Sequence, residues 1–144
     1  MKRHAYRISL AALATSLILL PAQARVTRVE SERSKPAANG YEILHGTFHG
    51  EVDPKDSKNA VIVDLEHAPR NATGMVEYSA SFQIARPIDP TDASGVLLYD
   101  VPNRGNGAAA PDNDGHIRVI SGWQGDIPAA ANVQWATVPT AAGV

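Results

Sequence analysis

The chain has 144 residues, a formal net charge of −2 and no cysteine. This length holds at most one domain, and the lack of cysteine excludes a disulfide framework, a thiolate metal site and a cysteine nucleophile. The small negative charge, with no basic arm or stripe, argues against nucleic acid as a partner.

The first 24 residues have the three parts of a secretory signal peptide. A basic start from Lys2 to Arg7 precedes an apolar run at 8–20, and Ala22-Gln23-Ala24 has the small-x-small pattern of a cleavage site. The apolar run is about 13 residues, short of the roughly 20 that span a bilayer. We therefore expect a signal helix at 1–24 and a periplasmic or secreted bacterial protein that has no membrane contact after cleavage. The mature chain has ten basic and fifteen acidic residues, a net charge of −5.

Beyond the signal, the hydrophobic pattern predicts a mainly β chain with little helix. The segment 25–128 forms this β-rich portion, and 129–144 is an Ala/Pro-rich tail expected to be poorly ordered, with one weak apolar run at 133–138. About six strands are predicted, at 25–30, 44–52, 60–65, 74–86, 95–101 and 116–121.

Two of these strands have distinct expected positions in the sheet. The alternating, charged segment 25–30 is typical of an edge strand, whereas the apolar run 95–101 is typical of a central strand that is buried on both faces. The segment 44–52 alternates cleanly and predicts one face made of Leu44, Gly46, Phe48, Gly50 and Val52.

Glycine-bracketed polar loops follow the last two predicted strands. Asn103-Arg104-Gly105-Asn106 comes after 95–101, and Gly122-Trp123-Gln124-Gly125-Asp126 comes after 116–121. Loops at strand ends are where backbone N–H groups and side chains converge on ligands. The candidate pocket residues are therefore Asn103, Arg104, Gly105, Asn106 and Trp123.

The roles of two of these candidates stay open at this point. Arg104 either holds an anion or forms a structural bridge with Asp100 or Asp126. Trp123 either lines a pocket or fills a core, and a core position is the commoner fate of a tryptophan at a strand end.

No metal site is predicted. His45 and His49 lie four residues apart on one strand, which separates them by roughly 13 Å, too far for one ion. The segment 112–115, Asp-Asn-Asp-Gly, resembles part of a calcium loop, but Ala110 and Ser121 stand where that loop requires carboxylates. It is predicted to be a turn, and no cofactor is expected.

Serine chemistry lacks its usual motif. No Gly-x-Ser-x-Gly pentapeptide occurs, and the nearest fragment, Ile120-Ser121-Gly122, has no glycine two residues before the serine. Triads also form without that motif. Ser79, Ser81, Ser94 and Ser121 are better explained as strand and turn residues, so no catalytic residue is predicted.

Several segments, in order, carry a resemblance to a known family. They lie at 51–56, 59–65, 68–71, 74–79, 98–101, 103–106 and 121–126. Together, over about residues 26–128, they resemble the amino-terminal part of bacterial secreted α/β-hydrolase domain-containing proteins, which are large and mostly uncharacterised. The resemblance implies an incomplete α/β-hydrolase-like sheet made of the amino-terminal strands only.

By that resemblance, 95–101 is the strand before the oxyanion loop and 103–106 is the loop itself. The nucleophile elbow, the acid and the histidine of the family would all lie beyond Val144. Parallel neighbours need a crossover of a dozen or more residues, usually a helix. Only nine residues, 107–115, separate the first loop from the next strand, so the family's helix is expected to be deleted.

Two functions follow as expectations. The first is a secreted remnant of a hydrolase-like protein, with ester or acyl hydrolysis as the ancestral chemistry and no activity alone. The alternative is a small secreted β-sheet module that binds a ligand or a protein without catalysis. The expected partner is at most a small molecule or an ester-like substrate, and the oligomeric state is left open.

Overall fold

A computed structural model describes residues 24–130 and 132–142, so nearly all of the predicted signal peptide lies outside the described residues. Within them, no helix has both the length and the apolar character needed to cross a membrane.

The described residues form one open mixed sheet, which confirms the prediction of a mainly β chain. Its strands are β1 (Ala24–Pro36), β2 (Tyr41–Val52), β3 (Val76–Pro87), β4 (Leu97–Asp100), β5 (Ile117–Ser121) and β6 (Ala136–Thr137). The order is β1-β2-β3-β5-β4, and β6 pairs with β3 beside the end of β5. All pairs are antiparallel except β4 and β5, which run parallel. Single 3-10 turns occur at Ala38–Gly40, Ser57–Asn59, Leu65–His67 and Pro90–Asp92.

The long antiparallel pair β2–β3 depends on glycines that face aromatic rings. Gly46 lies opposite Phe82, and Gly50 lies opposite Tyr78. A Cβ atom would lie 2.5 Å from the Phe82 ring at Gly46 and 2.3 Å from the Tyr78 ring at Gly50, so only glycine lets the rings lie flat across β2. The predicted face of the segment 44–52 is confirmed by this register.

The hydrophobic core consists of two small clusters on opposite faces of β3. Tyr41, Ala85, Ala109 and Ile120 form one, and Leu65, Ala68 and Val76 form the other. Val76 and Ala85 are an odd number of residues apart, which places them on opposite faces of the same strand. Each cluster is small, so neither face of the sheet is covered by a full second layer of the described residues.

Two buried carboxylates tie the antiparallel strands together. Glu51 on β2 is 2.6 Å from the Arg25 guanidinium on β1, and Glu42 on β2 is 2.9 Å from Arg86 on β3. Both carboxylates are buried, whereas their arginine partners remain largely exposed. Removing Arg25 would take the ion pair from the buried Glu51 carboxylate, which is the costly case for such pairs.

The prediction of a strand at 60–65 is wrong. This segment forms consecutive turns that lead into the 3-10 turn Leu65–His67, and Val61 and Val63 are more than four-fifths exposed. Both sides of β2 are already occupied, by β1 and β3, so the hairpin leaves no free position for a strand between them. The sixth strand is instead β6, in the tail.

The prediction that 95–101 is a buried central strand is also wrong. β4 is the outermost strand of the sheet beyond β5, and Leu97 and Tyr99 are 60% and 51% exposed. The apolar composition that predicts burial on both faces is present, but no other described element covers this strand.

The crossover from β4 to β5 contains no helix. Residues 101–116 connect the two strands as irregular chain, long enough to join parallel neighbours. Its middle is held by Ala109, which is buried in the core and donates its amide proton to the Gln83 side chain at 3.2 Å. The prediction that 107–115 leaves no room for a crossover helix agrees with this path.

Candidate functional site

The two predicted loops meet at the carboxyl end of the parallel pair. Residues 102–106 follow β4 and residues 122–126 follow β5, and we call them together the loop pair. Arg104 and Gly105 have φ values of +52° and +72°, and the Asn106 amide donates to the Asn103 carbonyl at 3.1 Å. Two consecutive residues with positive φ make this a tight turn, which holds Arg104 out toward the second loop.

Three hydrogen bonds join the loops. The Arg104 amide donates to the Gln124 side chain at 2.7 Å, its guanidinium donates to Asp126 at 2.9 Å, and the Trp123 indole donates to the Pro102 carbonyl at 2.7 Å. Among the alternatives for Arg104, the structure therefore has the structural bridge to Asp126. Asp100 pairs instead with Arg118 on the neighbouring strand, at 2.8 Å.

These contacts decide what the loop pair has available for a ligand. The amides of Arg104 and Asn106 are already bonded, and the guanidinium faces a carboxylate. The hydrogen bond from Arg104 lowers the pKa of Asp126, which keeps that carboxylate ionised. An anion at Arg104 would have to compete with Asp126.

Trp123 is a surface residue of the loop pair. It is 55% exposed, so its predicted alternative as a core residue does not hold. The indole lies over the junction of the two loops while its N–H is fixed by Pro102. A half-exposed tryptophan of this kind offers one apolar face to solvent and is a typical contact residue of a binding surface.

The tail packs behind both loops. The Gln134 amide donates to the Gly105 carbonyl at 2.8 Å, and Gly122 lies so close to Trp135 that a Cβ atom would be 1.9 Å from its carbonyl oxygen. The backbone of β3 completes the arrangement, because Ser81 donates to Trp135 and accepts from Gly122, each at 2.9 Å. The loops are therefore fixed from behind by two backbone segments, the tail at 134–135 and β3.

The serine hydroxyls near this end have structural partners. Ser81 Oγ bonds to the Gln134 side chain and accepts from the Trp135 amide at 2.9 Å, and Ser121 Oγ lies 2.6 Å from the Tyr99 hydroxyl. In the part of the chain that the structure describes, neither hydroxyl is hydrogen-bonded to a histidine. Both hydroxyls are held by structural hydrogen bonds.

A second polar cluster, around Asp112, was not predicted from the sequence beyond its turn. Its carboxylate accepts from the Tyr41 hydroxyl, the Asp114 amide and the His116 amide, and lies 2.9 Å from the His116 ring. Burial raises the pKa of Asp112, but the hydrogen bonds lower this pKa by more, so that it falls to about 2. The spacing Asp-x-Asp-x-His was the only available sequence signal for this cluster.

This cluster also holds the one metal-like grouping found in the described parts of the chain. Ligand atoms of Asp112, Asp114 and His116 lie within 4.8 Å of one another. The Asp112 oxygens are already engaged by protein donors, so the geometry is explained by the turn that joins the crossover to β5. His45 and His49 are not part of it. The His49 Nε2 atom lies 3.1 Å from the Arg28 guanidinium and 3.5 Å from the Glu30 carboxylate, both on the neighbouring strand β1.

No protein-family model, curated protein or solved structure matches the chain. The class of protein is therefore defined by its geometry: an open mixed β-sheet with a braced loop pair at one end and an apolar edge strand that no other described element covers.

Proposed function

We propose that this chain is a secreted, non-catalytic β-sheet module that binds polypeptide by strand addition along β4. Secretion and the hydrolase-like ancestry of the sheet are part of the proposal and rest on the sequence patterns. Binding without catalysis rests on the loop pair, where the Arg104 and Asn106 amides and the Arg104 guanidinium are engaged, and above all on the open edge of β4.

The single observation that carries the proposal is the difference between the two edges of the sheet. The β1 edge has the usual protection against strand pairing: alternating charges and irregular register at Val26/Arg28 and Arg33/Pro36. Between Gly95 and Val101 the β4 edge has no Lys, Arg or Pro, and its one charge, Asp100, is paired inward with Arg118.

The backbone of β4 is oriented to accept another strand. The Ile117 amide donates to the Val96 carbonyl at 2.9 Å, so that carbonyl points toward β5, and the register pairs Leu98 with Arg118 in the same parallel ladder. Because these groups alternate along a strand, the N–H and C=O groups of Leu97 and Tyr99 point away from the sheet. An added strand would satisfy them and would pair its side chains with the exposed apolar side chains of β4.

The occupant that fits this edge best is β4 of a second copy. Two β4 strands related by a two-fold axis pair antiparallel and satisfy each other reciprocally, which closes the assembly at two copies. The protected β1 edges then form both ends of the combined sheet and stop further growth. Other extended apolar segments satisfy the same edge and compete for it.

A labelled peptide tests strand addition directly. We expect the peptide Gly-Val-Leu-Leu-Tyr-Asp-Val, residues 95–101 with a short lysine tag, to bind the purified protein saturably in fluorescence anisotropy. The control is the same peptide with proline in place of Leu97. Proline has no backbone N–H, so this peptide lacks one of the hydrogen-bond donors that pair with β4. Equal binding of both peptides, or no saturable binding, would contradict the proposal.

The proposed absence of catalysis can be tested separately. We expect no steady hydrolysis of a short-chain p-nitrophenyl ester by the purified protein, because the chain lacks Gly-x-Ser-x-Gly and the Ser81 and Ser121 hydroxyls are bonded elsewhere. Steady turnover that a serine-directed phosphonate abolishes would instead favour a working hydrolase and overturn the non-catalytic assignment.

A further inference from the structure

An apolar pocket lies at the opposite end of β2 and β3 from the β4 edge. It has a volume of about 360 Å³, is open to solvent on one side, and is lined by the ends of these strands, the turns at 62–68 and the tail at 138–141. We call it the end pocket. Its lining includes Asp64, Leu65, Val76, Tyr78, Val138 and Ala141.

The walls of the end pocket are held in place by contacts outside it. Leu65 and Val76 belong to a buried cluster that forms its floor. The tail is closed over it by the Ala142 amide, which donates to the His67 carbonyl at 3.1 Å. Val138 packs so closely on Gly125 that a Cβ atom there would lie 2.3 Å from Val138. The pocket is therefore preformed, as small-molecule sites usually are.

The lining gives the ligand two chemical requirements. Most lining side chains are hydrocarbon, which calls for an apolar body. Among the described lining residues Asp64 is the one acidic residue, and none is basic. Tyr78 also lines the pocket. A carboxylate at an otherwise apolar pocket favours a cationic group on the ligand and disfavours an anionic one.

We propose that the end pocket binds a small amphipathic amine, with its hydrocarbon body inside and its ammonium group at Asp64. At about 30 Å³ for each non-hydrogen atom, the volume accepts on the order of ten such atoms, the size of a medium-chain alkylamine. This inference is independent of strand addition at β4, because the two sites share no residue.

The test compares three probes of equal chain length by displacement of a fluorescent naphthylamine dye from the full-length protein. Octylamine is expected to displace the dye at lower concentration than octanol, and octanoate to be the weakest. Asp64→Asn should weaken octylamine about two- to fivefold, the range for an exposed ion pair, and leave octanol unchanged. Glu66→Gln removes a neighbouring exposed carboxylate outside the pocket and should change nothing.

A pocket-filling variant provides the second arm. Ala141→Trp, on the tail wall, should weaken all three probes at least tenfold while circular dichroism shows an intact sheet. Octanoate binding as well as octylamine, or an unchanged octylamine affinity in Asp64→Asn, overturns the amine assignment. Dye binding that survives Ala141→Trp in a folded protein, or no saturable dye binding at all, overturns the site. If Ala141→Trp does not fold, the Asp64→Asn comparison decides alone.

Discussion

Replacing Gly122 by alanine is expected to destabilise the protein by about 3 kcal/mol or more, a loss near the upper end for a single methyl group. The added Cβ atom would lie 1.9 Å from the Trp135 carbonyl oxygen and 2.7 Å from its amide nitrogen. Both neighbours are backbone atoms held by Ser81, whose amide donates to the Trp135 carbonyl at 2.9 Å and whose hydroxyl accepts from the Trp135 amide at 2.9 Å. The loop pair and the tail would have to separate to accommodate the methyl group.

Thermal unfolding followed by circular dichroism measures this effect. A loss of this size lowers the midpoint by roughly 10 °C in a domain of this length. The matched control is Gly74→Ala, where nothing lies within 4 Å and only the φ of +82° is strained, at about 1–2 kcal/mol. If Gly122→Ala is no less stable than Gly74→Ala, the close packing of the tail behind the loop pair is wrong.

Replacing Leu97 by lysine is expected to abolish self-association without harming the fold. A lysine on an edge strand is the device that protects natural sheets from pairing, and β4 lacks it. In a two-fold pair of β4 strands the two new charges lie close together, so the dimer is weakened on both sides at once. Since Leu97 is 60% exposed, the change should alter the free energy of unfolding by at most about 0.5 kcal/mol.

Sedimentation velocity over a hundredfold range of concentration gives the comparison. The unmodified protein should shift from monomer to dimer, and Leu97→Lys should remain monomeric, at least tenfold weaker in association. Val29→Lys is the control, because Val29 is 59% exposed on the opposite edge strand and should leave the dimer unchanged. Association that is lost in Val29→Lys but kept in Leu97→Lys would place the interface on β1 instead.

The antiparallel part of the sheet was predictable because its signal is local. β1, β2, β3 and β5 each carry alternation or a bounded apolar run, and period-two alternation fixes which residues share a face. β6 has only two residues, Ala136 and Thr137, and its pairing with β3 depends on contacts distant in sequence. A pattern of such length has no information about its partner.

The exposure of β4 was not predictable because apolar composition does not say what lies beside a strand. The segment 95–101 has the same composition whether helices cover it or nothing does. The prediction of a strand at 60–65 was wrong for a related reason. A short apolar run can form turns when both sides of the neighbouring strand are already paired, as they are for β2. Composition predicted the tendency to be buried, and topology decided the outcome.

The meeting of the two loops was predictable, but the partner of Arg104 was not. Parallel neighbouring strands bring their carboxyl-end loops together, and both predicted strands carried such a loop. The choice between Asp100 and Asp126 depends on the register of β4 against β5. That register places Arg118 opposite Leu98, two residues before Asp100 and on the same face of the sheet. Arg118 therefore pairs with Asp100, and Asp126 remains as the partner of Arg104.

Amide hydrogen exchange at β4 tests the central claim most directly. Strand addition predicts that the Leu97 and Tyr99 amides, which point away from β5, exchange more slowly as the protein concentration rises through the association range. The Leu98 amide, directed toward β5, should change little. Exchange at Leu97 and Tyr99 that is independent of concentration in an associating protein, or new protection confined to β1, would contradict strand addition at β4.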